Sequence, residues 1–181
     1  MKVRSIKFLA LASLMAVFAV ALIATAPNSH AQSGKESASG QGTLLVLNEN
    51  GDAVRRQFSF SARRYPDGSV KGNAVLHNPS FTVKNGQRYQ LQINITCMKV
   101  YGNIAVFGGT TQRTNDPSLV DAVFFSVQDN GEPGKDNDKI SRVFFWDDDP
   151  NTTGDPQACE NTGPLDFPLE TIESGNIQVR Q

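Results

Sequence analysis

Apolar and polar residues alternate along much of this chain with the period of a β-strand. In the clearest run, positions 89, 91, 93, 95 and 97 are apolar and the positions between them are polar. Such alternation predicts a half-buried antiparallel strand over 88–97, with Cys97 on its inward face. Helical periodicity is absent after residue 31. The dominant element of the fold is therefore expected to be the strand.

Seven further segments are predicted as strands: 43–47, 57–62, 69–76, 104–107, 119–127, 140–146 and 176–179. Turn signals such as Asn50-Gly51, Asn85-Gly86 and Asn130-Gly131 separate them, and these residue types adopt the positive φ that tight hairpins need. About eight strands joined by short turns indicate a single all-β antiparallel domain. An up-and-down β-barrel is favoured over a two-sheet sandwich.

Residues 1–31 have the pattern of a cleaved signal peptide. Lys2, Arg4 and Lys7 precede an uncharged apolar run over 8–26, and Ser29-His30-Ala31 supplies a small-residue cleavage site. Because that run is longer than is usual, an uncleaved membrane anchor is the alternative. We expect a secreted protein, extracellular or periplasmic, with a flexible leader at 32–41, the folded domain at 42–181 and no membrane span in the mature chain.

Export would place the only two cysteines, Cys97 and Cys159, in an oxidising compartment, where they can form a disulfide. A loop of about 60 residues closed in this way is worth roughly 4 kcal/mol in the chain-entropy model. His77 is the only histidine after residue 31, so a typical zinc site is excluded. Neither a nucleophile elbow nor a phosphate-binding loop occurs, and we predict no catalytic residue.

Charge is unevenly distributed along the chain. The whole sequence holds 17 Lys/Arg and 18 Asp/Glu, and removal of residues 1–31 takes away three bases and no acid, which leaves a net charge of −4. This balance argues against a general binder of nucleic acid or anionic lipid. Residues 129–173 hold twelve acids and three bases. The acidic loops at 129–155 are therefore expected to be the recognition edge for a cation or a positively charged partner.

Calcium is the candidate cofactor of these loops, because it prefers carboxylate and carbonyl oxygens. The candidate ligands are Asp129, Glu132, Asp136, Asp138, Asp147, Asp149 and Asn151. The loop that begins at Asp147 is not an EF-hand, since Thr152 stands where glycine is required and Ala158 where the bidentate glutamate is required. Solvated turn acids are the alternative interpretation.

Two aromatic clusters, Phe124-Phe125 and Phe144-Phe145-Trp146, break the alternation and place bulky groups on both faces of their strands. We expect one face to meet the core and the other to be covered by a loop, with an exposed partner surface as the alternative. Trp146 lies beside Asp147, and an aromatic ring next to a carboxylate at a strand end suits sugar or cation recognition. It is the predicted ligand-contact residue.

Three segments carry a resemblance: ITCMKVYGNIA at 95–105, VQDNGEPG at 127–134 and GNIQV at 175–179. Together they resemble a family of uncharacterised secreted bacterial β-rich proteins, over roughly residues 40–180. The resemblance implies a secreted β-rich domain of bacterial origin. It implies no activity, so it transfers no site residue.

The leading hypothesis is a secreted, non-catalytic binding or envelope-associated domain whose ligand is an unidentified molecule or envelope component. A small-molecule carrier is the first alternative, with an apolar ligand inside a barrel lined by Phe58, Phe60, Tyr89, Leu91 and Ile93. A hydrolase that uses paired carboxylates is the second alternative.

Overall fold

The computed structural model describes residues 36–47, 51–82, 88–115, 121–145 and 154–181, with the backbone alone at 78–82 and 88–89. The signal peptide predicted at 1–31 lies outside these ranges. Within them the elements are β1 (Ser37–Leu47), β2 (Ala53–Arg64), β3 (Val70–Thr82), β4 (Arg88–Tyr101), β5 (Ile104–Thr114), β6 (Ala122–Gln128), β7 (Lys139–Ser141), β8 (Phe144–Phe145), a 3₁₀ segment (Pro156–Asn161), β9 (Leu169–Thr171) and β10 (Ser174–Arg180).

All the strands belong to one antiparallel sheet, in the order β10-β1-β2-β3-β4-β5-β6-β7-β9, and β8 pairs with β6 beyond the end of β7. Strands β1 to β6 each pair with the next strand in the chain. The prediction of an all-β domain built from sequential antiparallel hairpins is therefore confirmed. Backbone pairing among the described strands does not close the sheet, whose two end strands are β10 and β9.

The predicted strands all overlap observed ones, although most observed strands are longer, and two further features differ from the prediction. Strand β9 escaped prediction because three residues are too few to show a period. The leader expected at 32–41 is wrong for 37–41, which form the first half of β1 and pair with β2 on one side and β10 on the other. These residues are small and polar, so their own pattern is weak; the two neighbouring strands order them.

One continuous core lies on the inner face of the sheet. It holds apolar side chains from strands β1 to β7 and from β10. Aromatic rings fill its middle: the centroids of Phe107 and Phe125 are 4.7 Å apart, and Phe60 lies 5.4 Å from Phe107 and 6.0 Å from Phe125. Stacked and tilted rings at these distances gain packing energy beyond the burial of their area.

A β-bulge in β4 changes which side chains face this core. Ile95 pairs with Gly109 and Cys97 pairs with Gly108, so Thr96 is an extra residue without a partner across the ladder. After the bulge Met98 enters the main core, whereas Cys97 lies in a second cluster on the outer face. Cys97 is buried as expected, but the prediction that it shares the face of residues 91–95 is wrong. The extra residue shifts the alternation by one position.

The second cluster lies between β4 to β6 and the 3₁₀ segment. It consists of Cys97, Val106, Ala122, Phe124, Cys159 and Phe167. Phe125 faces the main core, while Phe124 stacks on Phe167 at 6.3 Å. The expectation that one face of this aromatic pair meets the core and that a loop covers the other is confirmed.

The 3₁₀ segment, which covers this cluster, lies directly on the backbone of β5. A Cβ atom at Gly108 would come within 2.0 Å of the Pro156 carbonyl oxygen, so only glycine permits this approach. The Cys97–Cys159 disulfide spans 62 residues and fixes the 3₁₀ segment to β4. Arg64 of β2 also holds the 3₁₀ segment, because its guanidinium forms an ion pair with Glu160 at 3.2 Å. The same group contacts Glu36 at 2.7 Å.

We predict that Cys97→Ala/Cys159→Ala lowers the free energy of unfolding by about 4 kcal/mol, because the bond removes the closure entropy of a long loop from the unfolded chain. Urea denaturation of the variant and of the oxidised wild type measures the difference. Reduced wild type is the control and should match the variant. A loss of unfolding free energy below about 1 kcal/mol would show that packing, and not the disulfide, holds the 3₁₀ segment.

We also predict that Ile93→Ala costs about 2–5 kcal/mol, because Ile93 is fully buried in the main core. Asn94→Ala is the control, since the next side chain along the strand is exposed and the change should cost about 0.5 kcal/mol or less. Thermal unfolding of both variants checks the register of β4. Similar losses in the two variants would contradict it.

Candidate functional site

The acidic loop between β6 and β7, residues 129–138, is built around a buried carboxylate. Asp138 is 0% exposed, and each of its oxygens accepts a backbone hydrogen bond. Oδ1 accepts from Asn130 N at 2.8 Å, within the loop. Oδ2 accepts from Ile177 N at 2.7 Å, on β10. A buried carboxylate requires such donors, because desolvation of an unpaired charge is costly.

Asp129 repeats this arrangement at the other end of the loop. Its Oδ1 accepts from Gly131 N at 2.9 Å, and its Oδ2 accepts from Val179 N at 3.0 Å. Ile177 and Val179 lie two residues apart on β10, an end strand of the sheet. The two carboxylates thus accept from alternate backbone N–H groups along an edge where none of the described strands supplies carbonyl groups.

The other described members of the predicted calcium set do not converge on one point. Glu132 Oε1 accepts from Asn176 Nδ2 at 2.8 Å, and Asp136 is exposed in a turn with a φ of 63°. Gly134 packs so closely that a Cβ there would lie 2.2 Å from Asp138 Oδ2. Among the residues that the structure describes, no group of three or more His, Cys, Asp or Glu could hold a metal ion.

The remaining predicted site residues lie outside the described part of the chain. They are Asp147, Asp149 and Asn151 of the calcium set and the predicted ligand-contact residue Trp146. Of the described candidates, Asp129, Glu132 and Asp138 serve as hydrogen-bond acceptors for the backbone or for a neighbouring side chain. The calcium hypothesis therefore gains no support from them.

The segments that carry the sequence resemblance meet at this loop. Asn103 Nδ2 donates to the Asp129 carbonyl at 2.7 Å and to Asn130 Oδ1 at 3.1 Å. From the third segment, Asn176 bonds to Glu132, and Ile177 and Val179 bond to the two aspartates. What these residues have in common is a structural role in joining β10 to the loop. No catalytic geometry is needed to explain their types.

A second candidate surface is the outer face of the sheet, which sequence patterns did not reveal. The seven strands β1 to β6 and β10 contain no aspartate or glutamate. Their basic residues are Arg55, Arg56, Arg63, Arg64, Lys71, Arg88, Lys99, Arg113 and Arg180. The described acids thus lie outside these seven strands, in turns and loops, in the 3₁₀ segment and in short β9.

Across this outer face, strand register aligns six uncharged polar side chains in one row. The pairs Gln178–Ser39, Ser39–Ser61, Ser61–Asn73, Asn73–Asn94 and Asn94–Thr110 are successive cross-strand neighbours. Side chains that pair in this way lie about 5 Å apart. Together with Gln41 and Ser59 in the next row, we call these residues the polar face.

Two shallow grooves run over the polar face. One has a volume of about 420 Å³ and includes Gln41, Ser59 and Gln178 among its lining residues. The other has a volume of about 600 Å³ and extends from Ser39 and Ser61 to Asn94. The small serine side chains create the depressions, and the amides of Asn and Gln stand beside them as donors and acceptors.

We predict that Asp138→Asn lowers the free energy of unfolding by about 3 kcal/mol, because an amide nitrogen would face one of the two buried N–H donors. Asp136→Asn is the matched control. It makes the same chemical change at an exposed position with positive φ, which Asn also tolerates, and should cost about 0.5 kcal/mol or less. Urea denaturation measures both, and equal losses would contradict the role given to Asp138.

No protein-family model matches the chain, and neither does any curated protein or any solved structure. Within the described ranges, no helix is both long enough and apolar enough to cross a membrane. Function must therefore be inferred from the chemistry of the two surfaces themselves, the acidic loop and the polar face.

Proposed function

We propose that this protein is an exported, non-catalytic binding domain that holds an extended polyhydroxylated ligand, a glycan, on the polar face. The observation that carries the proposal is the row of six uncharged hydroxyl and amide side chains aligned across six neighbouring strands. This proposal places the recognition surface on the sheet instead of the acidic loops, because the carboxylates of Asp129 and Asp138 already accept backbone hydrogen bonds.

The chemistry of the row suits sugar hydroxyl groups. Each Asn or Gln amide offers both donors and acceptors, and each Ser or Thr hydroxyl offers both on one atom. A sugar hydroxyl likewise donates and accepts. Because none of the six side chains is charged, contact with a neutral ligand does not require an ion to be desolvated. Six strands at the usual spacing span about 24 Å, which accommodates an extended ligand of several rings.

The shape of the surface also distinguishes a glycan from a small apolar ligand. Pockets for small molecules are concave and mostly apolar. The grooves here are shallow, open to solvent and lined mainly by polar residues. A long ligand that makes many weak contacts fits such a surface better than a compact one.

The two alternative functions find less support. Of the residues named for a carrier, Phe58, Phe60, Leu91 and Ile93 belong to a packed core whose centre is filled by aromatic rings, and the side chain of Tyr89 lies outside the described residues. For a carboxylate hydrolase, Asp129 and Asp138 each accept two backbone N–H groups, and Asp138 is fully buried, so neither carboxylate is placed to face a substrate.

We further infer that the sheet wraps into a barrel whose seam is bridged by side chains. Its end strands β9 and β10 are consecutive in the chain and are separated only by Ile172 and Glu173. Arg55 donates two hydrogen bonds to Glu173, of 2.9 and 2.8 Å, and thereby lowers the pKa of that carboxyl. Asp129 and Asp138 link the β6–β7 loop to β10. Export is supported by the N-terminal pattern and the disulfide.

We predict that the purified, exported protein binds a subset of polysaccharides on a glycan array. Asn73→Ala/Asn94→Ala should weaken that binding about tenfold, because it removes two hydrogen-bonding amides from the row. Gln112→Ala is the control, since it removes an exposed amide of β5 outside the row. Isothermal titration with the best array ligand measures the effect, and thermal midpoints verify folding.

Two outcomes would contradict the proposal: no glycan is retained on the array, or the double variant binds as tightly as the control. A non-covalent apolar adduct seen by native mass spectrometry, together with an empty array, would favour the carrier instead.

A further inference from the structure

One end of the polar face is positively charged. In the row next to the six uncharged residues, Arg180 pairs with Ser37, Ser37 pairs with Arg63, and Arg63 pairs with Lys71. Arg63, Lys71 and Arg180 are all exposed. Arg63 and Lys71 line the larger groove together with Asn73 and Asn94. Two basic residues of the charged row and four residues of the uncharged row therefore line one depression.

The pairing of Arg63 with Lys71 is unfavourable for the isolated protein. Like charges directly opposite each other on one face of a sheet repel. Within the described ranges neither side chain forms an ion pair, whereas Arg55, Arg64 and Arg142 each have a carboxylate partner. This local repulsion is relieved when an anion lies between the two cations.

The nearest compensating groups are weak ones. Lys71 Nζ lies 5.5 Å from the centre of the Tyr65 ring, a partly exposed aromatic side chain that also lines the groove. Asp67 in the adjoining turn interacts with Lys71, but its carboxylate is bonded to Ser69 N at 2.9 Å and to Ser69 Oγ at 2.7 Å. An exposed ring beside two cations is a surface on which the face of a sugar could pack.

We propose that the ligand of the polar face is an acidic polysaccharide, with a carboxylate between Arg63 and Lys71 and its hydroxyl groups on the amide and hydroxyl row. This inference rests on the proposed function. Charge complementarity selects the occupant: the groove has an uncharged hydrogen-bonding floor and a cationic end, and a uronic-acid polymer has hydroxyls and carboxylates in the same chain. A nucleic acid is less favoured, because its charge is denser than three bases can match.

The test compares polygalacturonate and alginate with the same polymers after chemical reduction of their carboxylates to alcohols, by isothermal titration of the intact exported protein. We expect the wild type to bind a carboxylated polymer at least tenfold more tightly than its reduced form. Lys71→Gln and Arg63→Gln should each weaken binding about fivefold, and their effects should shrink in 0.5 M sodium chloride. Lys135→Gln is the control, since it removes the same charge from an exposed site in the acidic loop and should leave affinity unchanged.

Each remaining outcome has a definite meaning. Equal binding of carboxylated and reduced polymers overturns the acidic ligand but leaves the glycan-binding proposal standing. Absence of binding to either form overturns both. An equal loss in Lys135→Gln and Lys71→Gln would mean that overall charge decides affinity, which overturns the subsite. Tighter binding of single-stranded DNA than of either polymer, with dependence on Lys71, would assign the groove to nucleic acid.

Discussion

The hydrogen bonds from Ile177 and Val179 to the carboxylates of Asp138 and Asp129 hold the last strand in place. Strand β10 pairs with β1 on one side, and no described strand lies along its other edge to supply carbonyl groups. An unpaired edge would leave buried N–H donors unsatisfied and open to pairing with other chains. Two side-chain carboxylates accept these N–H groups in place of a neighbouring strand. Their hydrogen bonds hold both the β6–β7 loop and β10 in position.

That structural use of acidic residues explains how charge is arranged over the molecule. Most of the described acids lie outside the long strands, where their oxygens accept backbone donors or form ion pairs with arginines, as Glu173 does with Arg55 and Glu170 with Arg142. Strands β1 to β6 and β10 carry bases and neutral amides but no acid. An acidic protein can therefore present a sheet surface that is uncharged along one row and positive along the next.

The two halves of the sheet differ in what covers their outer faces. Over β4 to β6 the 3₁₀ segment, fixed by the Cys97–Cys159 bond, buries a second cluster that includes Val106 and Phe124. Over β10, β1, β2 and β3 most outward side chains are small or polar, apart from the exposed Leu45 and Leu47 at the end of β1, and no described element covers them. The covered half, β4 to β6, thus contributes a second buried cluster. The uncovered half, β10 and β1 to β3, carries most of the surface to which we assign binding.

Strand alternation is a local property, so the sequence alone determined the all-β class, the inward positions Phe58, Phe60, Leu91 and Ile93, and the two-sided burial of Phe124 and Phe125. Only tertiary structure decided the rest. The face of Cys97 depends on a bulge that exists through pairing with β5, and residues 37–41 are ordered by two neighbouring strands. Asp138 meets its partner Ile177 at a separation of 39 residues, and the polar row arises from the register of six strands. No local pattern encodes such contacts, because each depends on chain segments distant in sequence.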